Sequence, residues 1–287
     1  VRIAIASGKG GTGKSTVAMG IAIALERAGK DITLADCDVE APNLYLFLPE
    51  GDYASKDVTV QVPSIDGSKC VYCGKCAEFC KFNAISVFPG HALVFPELCH
   101  SCGGCSIVCP EAAISYKERK VGVVKISYPP IAKKLKLITG IMNENEHSSV
   151  PVISAVKSII DNDSAGISIL DLSPGTSCNM IAAVRGCDHC ILVTEPTPFG
   201  LHDLKLAVEV LRHMGIPSGV VINKSYGNDS LITDYCAGEG IEIYLRIPYD
   251  DSVAKFYSNG TIPSLRLPWL SDMFRSLYDR CIKDGGS

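Results

Sequence analysis

Short, wholly apolar runs alternate with longer stretches of helical spacing along this chain. Val1, Ile3 and Ile5 with Ala4 and Ala6 read as a buried strand, and residues 17–28 as a helix stopped by Gly29. Residues 32–35 and 220–222 read as strands buried on both faces, 134–139 alternates as a strand ending at Gly140, and 167–170, 190–194 and 241–247 read as further strands. Residues 151–160, 180–184 and 201–214 read as helices, the last stopped by Gly215. Residues 44–48 continue as a helix and 57–67 as a connecting strand and turn, though both signals are weak. Strand and helix in regular turn predict an α/β fold, a doubly wound and mostly parallel sheet. Residues 60–118 break the pattern. There, 84–88 and 92–95 flank Pro89-Gly90 as a short hairpin, and 114–116 close the segment.

Composition narrows the choices. The chain has 287 residues, 47% of them hydrophobic, enough for a large core. With 27 basic against 31 acidic residues and no basic run, nucleic acid is not an expected partner. The apolar runs stop well short of a membrane span, and the first residues are already strand rather than leader, so the chain is expected in the cytoplasm without membrane insertion. Residues 269–282 place Leu270, Phe274, Leu277 and Ile282 near helical spacing. Arg275, Arg280 and Lys283 are balanced by Asp272, Asp279 and Asp284, which suits a helix packed on the core better than one lying on a membrane. Fourteen cysteines in such a chain argue for metal ligation rather than disulfides.

The first chemistry lies between the first strand and helix. Gly8-Lys9-Gly10-Gly11-Thr12-Gly13-Lys14-Ser15-Thr16 contains G-x-x-x-x-G-K-S in the strand–loop–helix context of a phosphate-binding P-loop. Its glycines let backbone N–H groups turn toward an anion, and the helix N-terminus adds partial positive charge. Lys14 is expected to reach the β- and γ-phosphates of a bound nucleotide, and Ser15 to place its hydroxyl on Mg²⁺. Two further strands end in carboxylates: Asp36-Cys37-Asp38, followed by Pro42-Asn43, and Asp171, followed by Ser173-Pro174-Gly175. Strand ends beside such a loop are where open α/β sheets bind ligands. Cys37 points to the other side of its strand and is expected to pack.

The second chemistry is an internal repeat. Cys70, Cys73, Cys76 and Cys80 are spaced C-x₂-C-x₂-C-x₃-C, and Cys99, Cys102, Cys105 and Cys109 repeat the spacing before Pro110. This is the bacterial two-cluster ferredoxin pattern, in which the fourth cysteine of each run, expected on the helix behind, serves the other cluster. It assigns one 4Fe–4S cluster to Cys70, Cys73, Cys76 and Cys109, and a second to Cys80, Cys99, Cys102 and Cys105. Zinc takes four ligands, and two doubled runs of four suit it poorly. Lys81 stands where a proline often follows the fourth cysteine. His91 and His100 are expected at the surface. Cys178, at a helix start, is expected to pack, with contact to a metal across a dimer as the alternative. Cys187 and Cys190 resemble a metal pair, but Cys190 opens a strand and is expected inside.

The loop with its extra Lys9 resembles the deviant Walker-A ATPases of the MinD/ParA superfamily, whose loop reads GKGGxGKS/T. The D-x-D, Asp171, Asn-Lys and cysteine motifs follow in the order of members that contain an inserted ferredoxin domain. The resemblance implies a P-loop ATPase domain over 1–59 and 119–287 and an inserted α+β ferredoxin-like domain over 60–118, with ATP, Mg²⁺ and two 4Fe–4S clusters as cofactors. It implies ATP held between two subunits, in a homodimer or in a heterodimer with a related ATPase, with Lys9 reaching the partner's phosphates. Asp38 would orient the attacking water and Asn43 lie near the γ-phosphate. Asp36 and Asp171 would support Mg²⁺ through water, and Gly175 would move when the γ-phosphate leaves. Asn223 and Lys224 would serve the base site, and the backbone at Pro248 would lie against adenine. The implied role is iron–sulfur or metallocluster assembly or carriage. The alternatives are ATP-gated electron transfer to a redox partner, and positioning or docking of the MinD/ParA kind.

Overall fold

The computed structural model describes residues 1–49, 51–163 and 166–284; the side chains of Ile282, Lys283 and Asp284, part of the C-terminal pattern, lie outside the described residues. In chain order the elements are β1 (Arg2–Ala6), α1 (Lys14–Arg27), β2 (Ile32–Cys37), β3 (Tyr53–Ile65), α2 (Lys75–Phe79), β4 (Ile85–Phe88), β5 (His91–Val94), α3 (Gly104–Ile107) and β6 (Ile114–Ser127). There follow β7 (Leu135–Met142), α4 (Val150–Asp161), β8 (Ile167–Leu172), α5 (Cys178–Val184), β9 (His189–Thr194), α6 (Pro198–Met214), β10 (Ser218–Ser225), α7 (Ser230–Glu239), β11 (Ile243–Pro248), α8 (Asp251–Ser258) and α9 (Pro268–Asp284).

Nine strands form one sheet in the order β11-β10-β9-β1-β8-β2-β7-β6-β3. From β11 to β7 every pairing is parallel, while β6 and β3 run antiparallel at one edge. The expected doubly wound α/β architecture is therefore present. Alternate residues of each central strand face opposite helical layers, as strand periodicity requires. Ile3 and Ile5 of β1 pack with α1 and α9, while Ala4 and Ala6 pack with the layer of α4, α5, α6 and α7. Leu270, Phe274 and Leu277 of α9 are fully buried on the α1 side, so this helix is part of the core. Gly20 of α1 makes that approach possible: a Cβ there would come within 2.1 Å of the Phe274 ring. No helix among the described residues is long and apolar enough to cross a membrane.

The edge departs from the sequence expectation. Residues 44–46 form a single 3-10 turn rather than a longer helix. Residues 114–127 form one long strand, of which the hydropathy pattern marks only the start. Only its second half, from Gly122, pairs with β7; its first half pairs with β3 alone, so β3 and β6 leave the sheet as a two-stranded ribbon. The ribbon is solvated over much of its length, so the apolar signal is weak: the strand expected over 57–67 lies mostly in β3, and residues 117–127 of β6 carry no such expectation. At its tip sit the hairpin β4–β5, joined through Pro89-Gly90, and the short helices α2 and α3.

Candidate nucleotide site and cysteine unit

The loop between β1 and α1 is shaped by its neighbours as much as by its own residues. Gly13 caps α1 in a left-handed conformation (φ 95°), and a Cβ on it would meet Asn223 Nδ2 at 2.2 Å. Asn223 is that close because its amide donates to the Thr12 carbonyl (2.7 Å) while its Oδ1 accepts from the Lys224 N–H (2.9 Å). The residue expected at the base thus braces the loop. Lys224 follows with φ 55°, rare for a side chain of its kind, and its Nζ donates to the Gly11 carbonyl (3.0 Å).

The carboxylates converge through strand register. Asp36 of β2 lies beside Asp171 of β8, which in turn lies beside Ile5 of β1. Both carboxylates are buried, and both are held well above the usual carboxylate range. For Asp171 burial is the main cause and the Asp36 charge the next, partly offset by a hydrogen bond from Ser15 and by Lys14. For Asp36 burial again leads, opposed by three backbone N–H donors. Those donors are Asn43 and Leu44 on Oδ2 (2.9 and 3.0 Å) and Asp38 on Oδ1 (3.1 Å), so Asp36 folds the segment 38–44 over the site. Burial also raises Asp38, opposed by a hydrogen bond from Ser173 and by the Lys14 charge. Lys14 itself is 7% exposed; burial depresses its pKa, and Asp171 and Asp38 oppose that.

A cavity of about 360 Å³ opens in front of this group. Gly10, Gly11, Gly13, Lys14, Ser15 and Thr16 form its floor, Asp38 and Asn43 one wall, and Asn223, Lys224 and Pro248 another. Gly8 and Lys9 border a separate crevice behind the loop. Tyr249 and Asp250 after β11, and Tyr257 of α8, complete the cavity; sequence reasoning missed them. The available signal was Asp250-Asp251-Ser252 directly after a strand: Asp250 Oδ1 accepts from the Ser252 N–H (2.7 Å) and starts α8. The donor set suits Mg²⁺. Asp171 Oδ1 is buried with no partner, and the Ser15 hydroxyl bonds to the same carboxylate, giving hard oxygen ligands.

The cysteine unit repeats in conformation as well as in sequence. Left-handed residues recur 29 positions apart at Tyr72 and Ser101 (both φ 55°), Gly74 and Gly103 (both 79°), and Asn83 and Ala112 (53° and 46°). The third cysteine of each run, Cys76 or Cys105, lies within α2 or α3, while Cys80 and Cys109 fall just after them. That corrects the expectation of a fourth cysteine on the helix. It follows from the short helices, whose ends turn each fourth thiol back toward the opposite run. Cys80, Cys99, Cys102 and Cys105 rim a cavity of about 230 Å³, and Cys70, Cys73, Cys76 and Cys109 rim a tighter one of about 20 Å³.

Burial pushes the Cys76 thiol up, and the sulfurs of Cys109 and Cys70 push it the same way; burial and then Cys105, Cys102 and Cys80 do so at Cys99. Thiols crowded in this way are relieved by a cationic group among them. The Ala84, Ala113 and Ser101 N–H groups also donate to the sulfurs of Cys80, Cys109 and Cys99 (3.3, 3.4 and 3.4 Å). Among the described residues no three His, Cys, Asp or Glu side chains converge to single-ion distance. A cube of iron and sulfide spreads its four thiolates farther apart than one ion does; four thiols, the donors such a group takes, rim each cavity, and the Cys70 set would have to open to hold one. His91 is exposed, and His100 is exposed and stacked on Phe82. Cys178 is exposed at the start of α5, against the expectation that it packs, while Cys37, Cys187 and Cys190 are buried. Cys178 is left outside because only the helix beyond it turns its apolar side, Met180, Ala183 and Val184, inward.

The fold and the loop define an α/β P-loop nucleotide-binding protein. Residues 3–263 match the CobQ/CobB/MinD/ParA nucleotide binding domain, and the chain belongs to that family. It is 31% identical over 259 residues to an uncharacterised protein of Methanocaldococcus jannaschii, covering 90% of this chain and 89% of that one. It is 26% identical over 249 residues to an iron-sulfur cluster carrier protein of Pyrococcus abyssi, covering 85% of this chain and 66% of the relative. The septum site-determining protein MinD of Pyrococcus horikoshii, solved with Mg-ADP, superposes with a TM-score of 0.62 at 18% identity, over 99% of this chain and 97% of that one.

Proposed function

We propose that this chain is a Mg²⁺-dependent ATPase whose nucleotide cycle gates electron passage through two resident 4Fe–4S clusters in an inserted unit over residues 60–118. One observation carries it: each cysteine cavity is rimmed by four thiols, drawn from both runs. Four thiolates per cube leave no open iron position for handing a cluster on. The clusters supply one-electron storage at the tip of the ribbon.

ATP occupies the cavity before α1. Lys14 neutralises the β- and γ-phosphates and Asp38 orients the attacking water. Ser15 and Asp171 would hold Mg²⁺, which would supply positive charge against the phosphates. Asp36 acts through the segment it folds, carrying Asp38 and Asn43 to the phosphates. Pro248 and Tyr257 receive the base. Two chains close on ATP with Lys9 crossing to the partner's phosphates, and hydrolysis reopens them. Movement of segment 38–44 has a route to the cysteine unit. Glu40 accepts from Asn179 Nδ2 (2.9 Å), Asn179 Oδ1 accepts from Ser149 (2.6 Å), and the loop before Ser149 is tied by Glu146 to Arg119 of the ribbon (2.5 and 2.8 Å).

Carriage of clusters is the second reading, favoured by relatives named iron-sulfur cluster carrier proteins. Incubation of the anaerobic chain with an apo-ferredoxin and Mg-ATP separates the two. Gating predicts that the iron stays on the chain with or without ATP; ATP-stimulated transfer to the acceptor contradicts it.

A further inference from the structure

Lys9 follows the first glycine of the phosphate loop, yet it does not border the nucleotide cavity that Lys14 enters. Its Nζ lies 3.1 Å from Glu195 Oε2, and the other oxygen, Oε1, accepts from Lys224 Nζ at 2.6 Å. Glu195 is the first residue after β9, with a side chain only 15% exposed. Its backbone is fixed: its carbonyl accepts from the Thr197 N–H (2.8 Å), and a Cβ on Gly200 would come within 2.2 Å of that oxygen. Burial alone would raise the Glu195 carboxyl, but hydrogen bonds from Lys224 and Lys9 hold it below the usual carboxylate range. One rigidly placed carboxylate therefore clamps two lysines, one from the phosphate loop and one from β10, and Lys224 passes the clamp to the phosphate loop through the Gly11 carbonyl.

We propose that Glu195 is a positioning residue that stows Lys9 on its own subunit, and that closure of the ATP dimer exchanges this carboxylate for the partner's phosphate. The inference rests on the reading above that Lys9 acts across the dimer. The exchange is one or the other for an electrostatic reason. A carboxylate held against Lys9 would face the partner's polyphosphate, and like charges in a closing, partly dry interface repel strongly. The contact is thus a brake: it stabilises the separate chains and is given up only when a nucleotide with a γ-phosphate offers a better anion. Lys224, bonded also to the loop, remains behind on Glu195.

The test uses the full anaerobic chain, a non-hydrolysable Mg-ATP analogue and sedimentation to read the dimer. Glu195→Gln is expected to lower the analogue concentration for half-maximal dimer by about fivefold, as loss of a partly buried competing ion pair allows. Damage to the fold would move it the other way. Lys9→Ala is expected to stay monomeric at saturating analogue. A Glu195→Gln chain that needs the same or more analogue, beside a monomeric Lys9→Ala chain, overturns the brake and leaves the Lys9 reading standing. A Lys9→Ala chain that dimerises normally removes both. Amine labelling of the nucleotide-free protein, read at Lys9 by mass spectrometry, gives a second measure. Lys9 should label faster in Glu195→Gln than in the unaltered chain, and equal rates overturn the stowed contact.

Discussion

Lys14→Ala is expected to lower ATP turnover by at least about 10³-fold, since a single preorganised charge on developing phosphate charge is worth that much in a dry site. The position is unusually demanding. Lys14 is buried against Asp171 and Asp38, and Asp36 lies in register beside Asp171. Without the ammonium, triphosphate would face Asp38 in the cavity wall, near the buried Asp171 and Asp36, with only Mg²⁺ and backbone N–H groups to offset its charge. Phosphate release by the anaerobic chain at saturating Mg-ATP checks this. Turnover within threefold of the unaltered protein would mean that the cavity before α1 is not where ATP reacts.

Paired cysteine substitutions have the second large effect, and the choice of pairs decides the wiring. The unaltered chain should hold about eight irons, four in each cluster. Cys70→Ser with Cys109→Ser removes two thiols from one cavity and should leave about four irons. Cys70→Ser with Cys80→Ser removes one from each and should leave few or none. Were each run to ligate its own cluster, the two results would be exchanged. Iron and sulfide analysis reads the answer without any assay of function.

The central part of this molecule was legible in the sequence because burial there is total. β1 and β8 have apolar runs that only a sheet covered on both faces explains, and the glycines of the loop sit where helix and strand must meet. The cysteine spacing is local chemistry, so it survives in one dimension. The ribbon was only partly legible: residues 57–67 read as a strand, and β3 contains most of them, but residues 53–56 and the first half of β6 face water, and Lys117, Glu118, Arg119 and Lys120 carry no strand signal. α7 and α8 were missed for want of a broad apolar face; α8 has no fully buried residue. Contacts between distant loops were also out of reach. Nothing near Asp36 announces that it binds three backbone N–H groups of its own segment, and residues 9, 195 and 224 meet only after the sheet has ordered β1, β9 and β10 side by side.

That an ATP site and a cysteine unit share one chain has a purpose only if each senses the other. ATP turnover by the anaerobic protein, measured first with its clusters oxidised and then with them reduced, tests this most directly. The account predicts a change of at least about fivefold, the lower end of ordinary coupling between sites. Equal rates in the two redox states, with both clusters present throughout, would contradict it.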